Sequence, residues 1–271
     1  MKAMDLQEHF LPLGPWVNRE TTVDTFKAGD PQTEVAAIAV GWMSTLAALR
    51  QAHELGCNFF VTHEPTFYGH RDNDASVQQD RAFQEKKRFL GDTGMVVLRC
   101  HDLWDRFPVE GVQDSWVRGL GLEGRPYVED DSHWLRVYQI EPTTLSTVAQ
   151  DVATRLGPLG QEAIQVVGDP EQPCRTLATG IGCYGGMDRW RTMLQLGADT
   201  VIATEVGYWR DVRWAEDMGL GLLICSHAVS ELWGVRNLAK HIQRVFPNVP
   251  VHYIEVGCPY RLVEVARASS P

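Results

Sequence analysis

The sequence predicts an α/β protein made of two related α/β units. Short runs of β-branched and apolar residues alternate with longer segments whose apolar residues recur every three or four positions. A polar stretch at residues 121–132 interrupts this alternation, which then begins again. The chain has 271 residues, 44% of them hydrophobic, a size that suits one large domain or two smaller ones. The restart of the pattern favours two.

The first unit opens with a β-α-β segment. Its strands are marked by clustered β-branched residues, and its helices by apolar residues at helical spacing. The predicted strands are residues 34–40, 58–62 and 95–99, and the predicted helices are residues 44–55, 77–90 and 112–120.

The second unit repeats the alternation, and a long helix and a final strand follow it. Pro247 ends the long helix because proline cannot continue a helical hydrogen-bond ladder. The predicted strands are residues 134–140, 164–167, 175–179, 200–203, 220–225 and 251–256, and the predicted helices are residues 144–156, 187–196, 208–218 and 228–246. We therefore expect a first α/β domain at residues 1–125, a second at 126–226, and a C-terminal helix and strand at 227–271.

Composition excludes several classes of protein. The net charge of −10 repels a phosphate backbone, which argues against a nucleic-acid partner. Apolar stretches are too short to span a bilayer, and the first residues lack the apolar region of a signal peptide. The six cysteines form no C-x-x-C pair, and Cys57, Cys100 and Cys225 lie in or beside apolar runs, so we expect these three to be reduced and buried. A cytoplasmic protein without a membrane partner is the expectation.

Three polar clusters follow directly after apolar strands, and each combines histidine with a carboxylate. Open α/β sheets bind their ligands at the carboxyl ends of strands, so these clusters are candidates for one site. The clusters are His63 with Glu64, His101 with Asp105, and His227 with Glu231.

The third cluster has the spacing of a metal-binding pair. His227 and Glu231 are four residues apart at the start of a predicted helix, so both side chains lie on one helix face. Imidazole and carboxylate together suit Zn²⁺, Mn²⁺ or Fe²⁺. A single strand-end histidine is also explained by capping a helix or bonding a carbonyl group. Three clusters weaken that alternative, because converging carboxylates repel one another unless a cation lies among them.

At these motifs the chain resembles the Nif-three-like dinuclear metal-centre proteins, also described as type-two GTP cyclohydrolase-like. The resemblance covers nearly the whole chain. It rests on residues 56–65 (GCNFFVTHEP), on His101 and Asp105 followed by residues 111–114 (GVQD), on residues 197–205 (GADTVIATE) and on residues 226–231 (SHAVSE).

The resemblance implies a fold, an assembly and a site. The fold would be two interlinked three-layer α/β domains of similar topology, with residues 227–271 packing back on the first domain to complete the site. The assembly would be a ring-shaped homohexamer. The site would hold two divalent ions per subunit, Zn, Fe or Mn. Its implied ligands are His63, Glu64, Asp105, His227 and Glu231.

The function implied by the resemblance is that of a metal-dependent hydrolase, similar to a type-two GTP cyclohydrolase. Such an enzyme would activate water for attack on a small molecule, such as a nucleotide or another phosphate-bearing substrate. The alternative is a non-catalytic scaffold or regulatory protein, a ring that binds metal without turning over a substrate. Both functions require the same ligands, so the sequence does not separate them.

Glu64 departs from the family pattern, which commonly has a second histidine at this position. With Asp105 and Glu231 as the anionic ligands, two divalent ions leave a charge of 4 − 2 = +2, and Glu64 lowers it to 4 − 3 = +1. The extra oxygen donor favours harder ions such as Mn²⁺ or Fe²⁺. Glu64 acting as a general base beside a single ion is the alternative.

Two further residues are candidates for catalytic roles. His101 lies within about one helical turn of Asp105, where it would transfer protons or orient water. Glu205 ends a predicted strand at the same sheet edge and would line the pocket. Residues 180–185 (GIGCYG) also match the outline of a dinucleotide-binding turn, so nucleotide binding there is a competing interpretation.

Overall fold

The computed structural model describes residues 1–183 and 185–263 and divides the chain into two compact units. The first unit comprises residues 1–118 and 231–256, and the second comprises residues 119–230 and the described residues after 256. The helices are α1 (Ala3–Phe10), α2 (Leu46–Glu54), α3 (Arg81–Thr93), α4 (Asp102–Asp105), α5 (Val112–Gly119), α6 (Leu145–Leu156), α7 (Met187–Gln195), α8 (Asp211–Asp217) and α9 (His227–Val245).

The strands form two separate sheets, one in each unit. In the first sheet the order is β1-β4-β3-β2-β11, and in the second it is β5-β6-β8-β9-β10-β7. The strands are β1 (Phe26–Ala28), β2 (Ile38–Gly41), β3 (Phe59–Thr62), β4 (Val96–Arg99), β5 (Tyr127–Glu129), β6 (Arg136–Thr144), β7 (Gln165–Val167), β8 (Pro173–Thr179), β9 (Thr200–Ala203), β10 (Gly221–Ile224) and β11 (Val251–Ile254).

The two sheets share a topology. Each contains three neighbouring parallel strands that follow one another in the chain with helices between them, β2 to β4 in the first unit and β8 to β10 in the second. In each unit the strand before this set, β1 or β7, pairs antiparallel with the third strand. The predicted α/β class with two similar domains is thereby confirmed.

The central strands are buried on both faces, as parallel strands covered by helices should be. Every residue of β2, β3, β4, β9 and β10 is buried. In the first unit α2 packs its buried residues Ala48, Leu49 and Ala52 into a core with Phe60 and Val97. In the second unit Trp190 of α7 and Ala215 of α8 pack against the strands in the same way.

Each strand and helix named from the sequence is present, with ends displaced by a few residues. Four further elements, α1, α4, β1 and β5, were not predicted, because they are short or lie where the apolar pattern is weak. The predicted burial of Cys57, Cys100 and Cys225 is confirmed. Cys183 is exposed and Cys258 is half-buried, because both lie in loops outside the strands, whereas Cys57, Cys100, Cys174 and Cys225 are buried and free.

Among the described helices, none combines the length and the hydrophobicity that a bilayer-spanning segment requires.

A tryptophan fixes α4 against α9 in the first unit. Trp104 is completely buried, and its Nε1 donates a hydrogen bond to the carbonyl oxygen of Gly234 at 2.7 Å. Gly234 has no room for a side chain, since a Cβ there would lie 2.5 Å from the Cα of Val112. This close packing fixes the positions of Asp105, which follows Trp104, and of Glu231, which precedes Gly234 by three residues.

Lys86 anchors the loop that follows β3. The side chain is completely buried, and its ammonium group donates to the carbonyl oxygen of Thr66 and lies 4.4 Å from the ring centre of Tyr68. Burial lowers the pKa of Lys86 to about 8 from an ordinary value of 10.5. Between these two pH values the unfolded chain therefore binds a proton that the folded chain has lost.

We expect the free energy of unfolding to rise as the pH increases from about 8 to 10.5, by about 3 kcal/mol at most. The variant K86M should lack this component because methionine does not titrate. Denaturant unfolding of both proteins across this range gives the comparison, in which other alkaline groups cancel. Parallel curves for the two proteins would contradict the prediction.

Candidate metal centre

Three parallel strands end in register at one edge of the first sheet. Gly41 of β2 pairs with Thr62 of β3, and Thr62 pairs with Arg99 of β4. The residues that follow therefore emerge side by side, with Trp42 after β2 and His63 after β3. This register, and not proximity along the chain, brings the strand-end residues together.

The two ring nitrogens of His63 have different surroundings in a fully buried position. Nδ1 lies 3.1 Å from the carbonyl oxygen of Cys100, which can only accept, so Nδ1 carries the ring proton. Nε2 lies 3.3 Å from Asp105 Oδ1 and 3.5 Å from Glu231 Oε2, and it finds no hydrogen-bond partner among the described residues. A lone pair facing two carboxylates is unfavourable unless a cation lies between them. The residues present therefore fit a metal ion at Nε2.

Ligand atoms gather around His63 in two groups. His63, Asp105 and Glu231 form one group, and His63, Glu64 and His101 form the other. Within each group the candidate ligand atoms all lie within 4.8 Å of one another. Nitrogen and carboxylate oxygen donors in this mixture suit Zn²⁺, Fe²⁺ or Mn²⁺.

The carboxylates make this region attractive to positive charge. Burial lowers the pKa of His63, but Glu231 and Asp105 outweigh burial and hold the pKa above its ordinary value. Burial likewise lowers the pKa of His101, whereas Asp105, Asp102 and Glu64 raise it, so that the pKa is about 9. The electrostatic field that favours a proton on these rings also favours a metal cation.

Glu64 lies between a buried cation and His101. Arg99 has a side chain with no exposed surface, and its Nη2 lies 3.3 Å from Glu64 Oε2. The remaining donors of Arg99 bond backbone carbonyl groups, with Nε donating to His63 at 2.9 Å and Nη1 donating to His70. The other carboxylate oxygen of Glu64, Oε1, lies 3.8 Å from His101 Nε2.

A half-buried aspartate, Asp24, holds the start of α4, which His101 directly precedes and Asp105 ends. Asp24 Oδ1 accepts from the backbone N–H groups of His101 at 2.6 Å and Asp102 at 3.0 Å. Asp24 Oδ2 accepts from the backbone N–H of Leu103 at 2.8 Å. Asp24 thus satisfies the backbone donors that the start of a helix leaves unpaired.

Asp102 connects the His101 ring to the loop before β1. Its Oδ1 lies 3.0 Å from His101 Nδ1, and its Oδ2 accepts from the Thr22 hydroxyl at 2.7 Å and from the Val23 N–H at 3.2 Å. The ring of His101 stacks on that of His63 with their centres 4.8 Å apart. His101 is therefore held in one orientation beside the metal-fitting nitrogen.

The second unit contains its own histidine–carboxylate pair. Glu205, which follows β9, places Oε1 at 2.7 Å from Nδ1 of His227, the first residue of α9. A carboxylate on one ring nitrogen fixes the ring orientation and makes Nε2 the nitrogen that would bind a metal. Glu231 follows one turn later on the same helix.

The glycine-rich turn before α7 has a structural explanation. A Cβ at Gly185 would overlap the backbone carbonyl group of Glu205, and Gly182 donates its N–H to the Ser230 hydroxyl at 3.2 Å. Tyr184, the fifth residue of the predicted dinucleotide-binding turn, lies outside the described residues. Close packing on the strand-end loop accounts for glycine at 185 without a nucleotide.

The structure brings His63, Glu64, His101, Asp105 and Glu231 together in the first unit and pairs His227 with Glu205 in the second. Sequence reasoning missed Arg99, Asp24 and Trp42. Trp42 donates from Nε1 to Glu231 Oε2 at 2.6 Å. Arg99 ends β4 and Trp42 follows β2, and this strand-end position could have identified both as candidates. Asp24 lies in a loop, where no sequence pattern predicts its role.

Comparison with known proteins identifies the family. Residues 21–258 match the family model described as DUF34/NIF3 (NGG1p interacting factor 3). The chain belongs to the DUF34/NIF3 family. The resemblance based on the strand-end motifs is thereby confirmed. No curated protein matches the chain.

Solved structures share the DUF34/NIF3 fold. The Staphylococcus aureus hypothetical protein SA1388 is 18% identical, with a TM-score of 0.78 over 97% of this chain and 99% of that one. The Bacillus cereus protein related to NIF3 is 14% identical, with a TM-score of 0.79 over 97% and 99%. Reduced HcgD from Methanocaldococcus jannaschii is 16% identical, with a TM-score of 0.76 over 94% and 98%. At these identities the comparisons show the fold alone.

In this DUF34/NIF3 chain we expect D24A to lower the free energy of unfolding by about 2 kcal/mol, because it leaves three partly buried backbone donors without their acceptor. D24N, which keeps one acceptor oxygen, should lose less. Denaturant unfolding at pH 7 measures both. Unfolding of D24A at the same denaturant concentration as the parent protein would refute the capping role.

Proposed function

We propose that the protein is a divalent-metal-dependent hydrolase whose centre is built on His63. The observation that carries this proposal is the buried Nε2 atom, which faces Asp105 and Glu231 without a hydrogen bond among the described residues. Membership of the DUF34/NIF3 family and the two overlapping groups of ligand atoms support it.

The proposed centre holds two divalent ions per subunit. His63, Asp105 and Glu231 would hold one ion, and Glu64 would contribute to the second. His227 is included as a ligand because it precedes Glu231 by one turn of α9 and because Glu205 orients its ring. The mixture of nitrogen and oxygen donors favours Zn, Fe or Mn over Mg or Ca.

Divalent ions in such a site supply Lewis acidity and favour the ionised form of water. His101 is the group placed to move a proton. Its ring is oriented by Asp102, and its Nε2 is directed towards Glu64. A ring held in this way can give or take a proton at the substrate, which is the role that we assign to His101.

The proposed substrate is a small phosphate-bearing molecule such as a nucleotide, and the proposed assembly is a homohexamer. Both come from the family resemblance to type-two GTP cyclohydrolase-like proteins. Light scattering of the purified protein tests the assembly, and a screen of nucleoside triphosphates and phosphate esters tests the substrate class.

We expect D105A to lose at least one of the two bound ions, because a buried lone pair and a single carboxylate hold a divalent ion poorly. Elemental mass spectrometry of protein stripped with chelator and reloaded with Mn²⁺, Fe²⁺ or Zn²⁺ gives the number of ions per chain. The matched control is D151A, which removes an exposed carboxylate paired with Arg155 one turn away. Equal metal content in D105A and D151A would contradict the ligand assignment.

We expect H101Q to lower kcat by about 10²–10⁴-fold while metal content stays unchanged, because glutamine cannot transfer the proton. Activity on a substrate found in the screen, measured beside metal content, checks this. Loss of metal in H101Q would assign His101 to the ligands. A protein that binds metal but hydrolyses none of the screened compounds would favour the scaffold alternative.

A further inference from the structure

We propose that Arg99 and Glu64 act as one unit in the metal centre: Arg99 holds one oxygen of Glu64 and cancels its charge, so that Glu64 serves as a ligand through its other oxygen. This inference rests on the proposed function. Arg99 is a positioning residue in this assignment, because it would act on the ions through Glu64.

Two backbone carbonyl groups hold the side chain of Arg99 in place. The guanidinium group has no exposed surface and bonds the backbone carbonyl groups of His63 and His70. These two bonds fix the planar group independently of Glu64. Its remaining nitrogen, Nη2, therefore presents a charge at a defined position, 3.3 Å from Glu64 Oε2.

The two carboxylate oxygens of Glu64 face different partners. Oε2 faces Arg99, whereas Oε1 faces the ring of His101, and Glu64 is one of the residues that group around His63 with candidate ligand atoms. With Oε2 held by the guanidinium, rotation of the carboxylate is restricted. Oε1 is then the oxygen that would bind an ion, as a single donor atom.

Arg99 changes the total charge of the proposed metal centre. Two divalent ions with Asp105, Glu231 and Glu64 leave a charge of +1, and Arg99 raises the total to 4 − 3 + 1 = +2. This equals the charge of a centre in which a neutral ligand takes the place of Glu64. The pair therefore supplies an oxygen ligand without lowering the charge that makes the centre a strong Lewis acid.

Glu64 and Arg99 depend on each other for charge compensation. A buried guanidinium that loses its carboxylate becomes an uncompensated charge next to the metal ions, which it repels. Histidine at position 64 offers a metal-binding nitrogen but cannot neutralise Arg99. The variant E64H should therefore bind metal poorly while Arg99 is present, and better once Arg99 is also replaced.

The test is metal titration of the chelator-stripped full chain with Mn²⁺ and Zn²⁺, following the number and affinity of bound ions. We expect R99M to weaken one ion by about 10–100-fold, the usual effect of losing a residue that orients a ligand. We expect E64H to weaken that ion as well, and E64H/R99M to bind it at least tenfold more tightly than E64H. This recovery is a coupling that a merely structural role of Arg99 would not produce.

Two further variants keep the outcome decisive. R136M removes another strand arginine paired with a glutamate, Glu129, and should leave metal binding unchanged. Should R99M fail to fold, R99K carries the test, because lysine keeps the charge but cannot form the planar fork. We expect R99K to weaken one ion by about tenfold.

The outcomes separate this inference from the proposed function. Parent protein that binds no divalent ion would overturn both. Parent protein that binds ions, with R99M or R99K equal to it in affinity, would overturn the role of Arg99 alone. Binding by E64H/R99M no tighter than by E64H would also overturn it.

Discussion

The position of one imidazole determines what the rest of the candidate centre must do. His63 is buried at the end of the middle strand of a parallel set, and its Nδ1 is committed to the Cys100 carbonyl group. The other nitrogen must then face Asp105 and Glu231, since burial leaves it no water. An imidazole beside two carboxylates is stabilised by a positive charge between them, either a proton on Nε2 or a bound cation. Metal binding is thus a way to satisfy a polar cluster that the fold itself has created.

Several side chains that would touch no metal hold this cluster in place. Asp24 fixes the start of α4, Trp42 holds one oxygen of Glu231, and Trp104 ties α4 to α9. Each is a long-range contact between elements that neighbour one another only in the folded protein. Together they restrict the carboxylates to one arrangement. These side chains would therefore lose less conformational entropy when a metal ion binds.

Charge balance around Glu64 involves a buried guanidinium group. A carboxylate stands where the family resemblance leads one to expect a second histidine, and a buried guanidinium lies against that carboxylate. A buried ion pair of this kind is costly to break from either side, because the remaining partner is left as an uncompensated charge. Residues 64 and 99 therefore constrain each other, although Glu64 follows β3 and Arg99 ends β4.

The sequence alone determined the alternation of strands and helices, the division into two related units and the placing of His63, Glu64, Asp105 and Glu231 at strand or helix ends. These features are local: periodicity, strand-end position and helical spacing can each be read within a dozen residues. The contact between Arg99 and Glu64 and the capping of α4 by Asp24 arise only when the chain is folded. Those partners lie tens of residues apart, and sheet register and burial select them. A buried polar group must find its partner in space, and hydrophobic periodicity carries no information about which residue that partner is.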